Sequence, residues 1–162
     1  MSTLTILFVR RTGWDLSRVG SMFIRWALPV SRFKWARASH SIVAHNGFAY
    51  HATMRHGVVK EPIAQALHGQ TVVAQRDFHA PNVDAAIAWL ETQIGKPYDW
   101  RGAIGVSLSP DRLWGSEESW FCHELCAAAL RESGRNLFIE FGHVNDSALL
   151  LMEPSNDSKA SN

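Results

Sequence analysis

The dipeptide Asn46-Gly47 limits the fold of this chain more than any other feature. It lies inside Ser39-His-Ser-Ile-Val-Ala-His-Asn-Gly-Phe-Ala-Tyr-His-Ala-Thr53, between two runs rich in β-forming residues. A two-residue loop of this type favours a type I′ turn, whose twist matches that of paired antiparallel strands. The turn sets a register: His45 opposite Phe48, Ala44 opposite Ala49, Ile42 opposite His51 and His40 opposite Thr53. Cross-strand partners share a face, so His40 and His51 become diagonal neighbours on one side of the hairpin. His45 projects from the other side, near the turn.

Other stretches supply what a hairpin alone cannot, a sheet and covering helices. Thr3 to Val9 is apolar and partly β-branched and reads as an opening strand; Gly13 breaks it. Leu16, Val19, Met22, Phe23 and Trp26 recur at helical spacing, predicting a helix from about Asp15 to Leu28 that Pro29 ends. Gly57 to Lys60 reads as a strand, Pro62 to Leu67 as a short helical or irregular link, and Thr71 to Arg76 as a further strand. After Pro81-Asn82, the stripe of Val83, Ile87, Leu90 and Ile94 predicts a helix, with Gly95 as its cap. Gly95 to Gly102 is loop-rich. After Gly134, Leu137 to Phe141 is apolar, and Asn145 to Ser147 suits a last turn. One domain over 1–154 is expected, with residues 155–162 as a disordered polar tail.

The segment Glu118-Ser-Trp-Phe-Cys-His-Glu-Leu-Cys-Ala-Ala-Ala-Leu130 reads as a helix with Ser119 as candidate N-cap and Gly134 near its C-cap. Cys122 then falls in the first turn, where backbone N–H groups and the helix dipole favour a thiolate. Two readings of Cys122 stand on this evidence: a nucleophile, or a small buried hydrophobe. Cys126, one turn later and followed by an alanine run, reads as core. A metal site built from Cys122, His123 and Cys126 fits no common zinc spacing, and no metal or other cofactor is expected.

Composition narrows the function classes. The 162 residues are 46% hydrophobic and 19% charged, a globular balance with room for a core. Sixteen Lys and Arg against fifteen Asp and Glu give no general case for nucleic acid. The early basic residues (Arg10, Arg11, Arg18, Arg25, Arg32, Lys34 and Arg37) read as a solvated face and match no nucleic-acid-binding motif, so no such partner is expected. Two cysteines four apart make no disulfide framework. Met1 to Arg11 lacks a signal-peptide pattern, and no stretch reaches the roughly 18 apolar residues of a membrane span. The expectation is a cytoplasmic protein.

A nucleophilic cysteine needs a base, and the base needs an orienting partner. Gly95-Lys-Pro-Tyr-Asp-Trp-Arg-Gly102, followed by Trp120-Phe-Cys-His-Glu-Leu125, resembles the NlpC-type cysteine peptidase superfamily. Ser39-His-Ser-Ile-Val and Phe48-Ala-Tyr-His-Ala52 resemble its two strands that carry the base histidine and the third polar residue. Because the histidine strands precede the cysteine, the order is similar to the circularly permuted branch, the papain-like amidases of the YaeF/YiiX kind and their phage relatives. The resemblance implies a papain-like α+β fold, with an antiparallel sheet packed against the cysteine helix. It implies Cys122 as nucleophile, His40 as base and His51 as orienting group, and it places Tyr98 beside the nucleophile. It also brings Glu124 into the motif, with a substrate role left open. His123 stands where a small serine is common, with two roles open: altering access to the thiol or joining the chemistry.

The expected function is a cysteine-dependent hydrolase, an amidase or peptidase attacking an amide or ester carbonyl. Its substrate would be a peptide, a peptidoglycan fragment or an acyl lipid. Two alternatives remain: a lipid-directed acyltransferase or thioesterase, and a catalytically silent binding or structural protein. Trp100, Trp114 and Trp120 read either as packing or as an apolar substrate groove.

Overall fold

A computed structural model describes residues 2–12, 38–102 and 118–135. The expected helix over 15–28, Trp114, the segments 137–141 and 145–147 and the polar tail lie outside them. Among the described residues the architecture is α+β. Strands β1 (Thr3–Arg11), β2 (His40–His45), β3 (Phe48–Thr53) and β4 (Gly57–Pro62) lead to a one-turn helix α1 (Ile63–Ala66). Then come β5 (Gln70–His79) and the helices α2 (Val83–Gln93) and α3 (Cys122–Glu132). The five strands form one antiparallel sheet in the order β4-β3-β2-β1-β5. No described helix is long and apolar enough to cross a membrane.

The hairpin forms as the dipeptide requires. Asn46 and Gly47 both take positive φ (47° and 79°), as a type I′ turn demands. His45 pairs with Phe48 and Ala44 with Ala49, but the ladder ends at Val43–Tyr50. The two pairs expected beyond it, Ile42–His51 and His40–Thr53, are not part of the ladder. Strand β4 runs two residues past its expected end, to Pro62, and β5 runs from Gln70 to His79.

Both faces of the sheet are covered, which explains why β1 is a nearly continuous apolar run. Leu4, Ile6 and Phe8 join Val43, Tyr50, Ala52 and Val58 in the larger core, with Leu125, Cys126 and Leu130 of α3 and Leu90 of α2. Leu7, Val9, Ile42 and Ala49 form a smaller cluster with Ala66 of α1 on the opposite face. In α2, Asn82 caps by accepting from the Ala85 N–H at 2.9 Å. Leu90 is buried and Val83 and Ile87 pack against the core. Ile94 departs from its expected stripe: it follows the last helical turn and is 41% exposed.

A short strap ties the edge of the sheet to the start of α3. Val58 donates its N–H to the Lys96 carbonyl, and Gly95 donates back to the Val58 carbonyl, each at 2.9 Å. The strap then pairs in parallel with the segment before α3, through Tyr98 and Trp120. Trp120 donates to Pro97 and Asp99 donates to Trp120, each at 3.1 Å. Gly57 makes the approach possible, since a Cβ there would stand 2.0 Å from the Lys96 carbonyl oxygen. Trp120 is buried edge-on to Trp89 and donates its indole N–H to Gln93 at 3.0 Å.

Candidate functional site

The start of α3 meets the sheet beside the first residues of β2. Cys122 is the first residue of the helix. The N-cap is Phe121, not Ser119, and no side chain caps from that position. Instead Glu124, three residues on, accepts from the Phe121 N–H, which is the return half of a capping box. At the other end Gly134 takes φ 84° and closes the helix as expected. One turn into α3, the Cys126 thiol donates to the Ser41 hydroxyl at 3.4 Å, holding the helix start close to His40.

Three adjacent strands each bring one polar side chain to the site. The His40 Nε2 lies 2.8 Å from the His51 Nδ1, the ring centres 5.1 Å apart and tilted by 60°. On β4, Glu61 is a diagonal neighbour of His51, because His51 pairs with Val59 and Glu61 with Ala49. Its Oε1 stands 2.9 Å from the His51 Nε2. His51 is buried, and desolvation followed by the charge of His40 lowers its pKa from 6.5 to about 3. Glu61 at this distance would favour an imidazolium, but burial dominates, so the contact is a hydrogen bond from a neutral ring.

The Cys122 thiol is 5% exposed and lies 3.2 Å from the His123 Nδ1. Burial by itself pushes the thiol up. The charges of His123 and His40, with hydrogen bonds to both rings, outweigh it and hold the pKa well below its ordinary value. His123, left with two open roles by its position in the sequence, therefore touches the thiol directly. Tyr98 is half-buried and its ring is edge-on to Trp100 at 5.1 Å. Burial, then the charges of Cys122 and Asp99, push its phenol up, so it stays a protonated donor.

Glu124 lies deeper than a surface residue facing the helix dipole would. It is 1% exposed, and burial with the charge of Asp99 raises its pKa to about 8. Asp99 accepts from the Gly102 N–H at 2.8 Å, and a Cβ at Gly102 would meet the Asp99 Oδ2 at 2.3 Å. The Asp99 Oδ2 and the Glu124 Oε2 are buried without a hydrogen-bond partner among the described residues. The tryptophans divide: Trp120 is packing, whereas Trp100 is 49% exposed. His56 and His68 are exposed in turns, whereas the His79 Nδ1 is buried at the end of β5.

The expected residues Cys122, His40, His51 and His123 thus come together, with Tyr98 and Glu124 in the surrounding layer. Glu61, Asp99 and Ser41 were missed by sequence reasoning. A signal for Glu61 was present: carrying the β3–β4 pairing on from Gly57 places Val59 and Glu61 on the face of His51. No group of three or more His, Cys, Asp or Glu among the described residues could hold a metal ion. No protein-family model, curated protein or solved structure matches this chain.

Proposed function

We propose that the protein is a thiol-dependent acyl hydrolase of papain-like fold, related to the permuted NlpC-type amidases and acting on an amide or ester carbonyl. The observation that carries the reading is a helix-start thiol held low by two imidazoles, one of them hydrogen-bonded to a second buried histidine. The Cys122 proton passes to His40, and the sulfur lone pair attacks the carbonyl carbon. The resulting oxyanion faces the Cys122 N–H, one of the first-turn amides that an α-helix leaves without an internal acceptor. The intermediate collapses, the leaving group takes the proton from His40, and the acyl group stays on sulfur. Water then gives its proton to His40, attacks the thioester and releases the acid, returning the thiol. His51 orients His40 throughout.

An electrophilic acyl probe tests the reading. Wild-type protein should carry one label, on Cys122, and Cys122→Ala should carry none. Undiminished labelling of Cys122→Ala ends the nucleophile assignment. A thiol that titrates like free cysteine and resists the probe identifies a binding or structural protein instead. The exposure of Trp100 against Tyr98 favours a second reading, acyl transfer from a lipid. A fatty acyl group found on Cys122 by mass spectrometry after incubation with acyl lipid would select it.

A further inference from the structure

The contact between His51 and Glu61 settles more than the orientation of one ring. A carboxylate only accepts, so the 2.9 Å contact requires a proton on the His51 Nε2. His51 is buried and neutral, so this is its only ring proton, and its Nδ1 is a bare acceptor. The 2.8 Å contact between His51 and His40 then requires a proton on the His40 Nε2. That leaves the His40 Nδ1 as the nitrogen that takes the thiol proton.

We infer that Glu61 is a positioning residue that acts through His51 to fix the tautomer of His40, so that His40 meets Cys122 as a proton acceptor. The inference rests on the proposed function only in taking Cys122 as the nucleophile. Without Glu61, His51 is free to carry its proton on Nδ1. His40 would then accept from it at Nε2 and hold its own proton on Nδ1, where it faces the thiol as a donor. With Glu61 present, the S–H bond breaks, an N–H bond forms at the His40 Nδ1, and the electron pair stays on sulfur. The imidazolium so formed still donates to His51, two hydrogen bonds from a carboxylate.

Among the described residues, few other groups compete for this relay. Helix α1, which packs against β3 and β4, carries only Ile63, Ala64, Gln65 and Ala66. Lys60, next to Glu61 in the chain, is engaged by Glu91 and lies over the rings of Phe48 and Tyr50. Among the described residues, the titratable groups bearing on the thiol besides His40 are His123 and Cys126 of its own helix and Tyr98 of the strap.

Two measurements on the full chain test the inference. Long-range proton–nitrogen NMR of wild type should show His51 protonated at Nε2 and bare at Nδ1, with a proton on the His40 Nε2; a proton on the His51 Nδ1 or a bare His40 Nε2 overturns it. This reading needs no reactive thiol, so it stands or falls separately from the hydrolase proposal. The second is the pH profile of Cys122 alkylation by iodoacetamide. Glu61→Ala should move the midpoint upward by about one unit, a loss of about tenfold on the acidic limb. Glu61→Gln, which keeps an acceptor oxygen of the same shape, should fall between. A merely structural Glu61 would lower folded yield without moving the midpoint, and an unmoved midpoint in folded Glu61→Gln and Glu61→Ala overturns the inference. If Glu61→Ala does not fold, a midpoint for Glu61→Gln equal to wild type, together with the wrong wild-type tautomer, does the same.

Discussion

Cys122 and Cys126 are one turn apart on the same helix, and both thiols are buried. Their acidities nevertheless diverge. Cys122 is held well below the ordinary thiol value, while burial pushes Cys126 up to about 12, its hydrogen bond to Ser41 only partly offsetting the rise. Burial is common to both, so it does not explain the difference. Position on the helix favours Cys122, but the dipole contributes only about 1 kcal/mol. The decisive factor is the company each keeps: two imidazoles for one sulfur, a hydroxyl and alkyl groups for the other.

The largest effect that would break this comparison is in alkylation. Cys122→Ala should remove nearly all iodoacetamide incorporation at neutral pH, and Cys126→Ala should leave it unchanged; comparable labelling of both sulfurs would refute the contrast. Next come the imidazoles. His40→Ala and His123→Ala should each raise the Cys122 pKa, read from thiolate ultraviolet absorbance, and the double variant should move it toward the high side occupied by Cys126. A double variant that still titrates low would show that the helix start outweighs its neighbours. In turnover, His40→Ala should cost about a hundredfold, as loss of a general base does, and His123→Ala less.

Smaller effects concern stability. His51 is held neutral in the fold, so below pH 6.5 the unfolded chain takes up a proton that the folded one refuses. Stability should therefore fall as pH drops from about 6.5 toward 3, by up to about 4 kcal/mol. His51→Gln should flatten that limb in urea titrations. Glu124 has the opposite sign, because its raised pKa makes the folded state hold a proton between about 4.5 and 8. Stability is lost as pH rises through that window, and Glu124→Gln should recover about 1–2 kcal/mol near pH 9. Smallest is Cys126→Ala, at about 1 kcal/mol for a small buried cavity.

What could be read from the residues depended on whether the signal was local. Asn46-Gly47 specified its turn and the first two pairs on either side, because the turn conformation itself sets them. The meeting of His40 with His51 followed from that register. Alternation and helical stripes located β1, α2 and α3, but not their ends: Ser119 had the right chemistry for a cap, yet the chain enters α3 through Phe121. Ile94 shared the period of the α2 stripe, but the helix stops before it. Contacts between elements were out of reach. That Ser41 meets Cys126, or that Asp99 bears on Glu124, depends on how a helix is laid against a sheet, which periodicity does not encode.

Gly57 makes an unexpected weak point of a position 65 residues before the cysteine. A methyl group there collides with the Lys96 carbonyl, and the strap carrying that carbonyl also holds the segment entering α3. Displacing the strap would slide the sulfur along the sheet while leaving His40, His51 and Glu61 joined to one another. A Gly57→Ala protein would then keep every reacting group and lose only their alignment. In a survey of variants it would look inactivating for no chemical reason, and its remedy would be a compensating change in the strap.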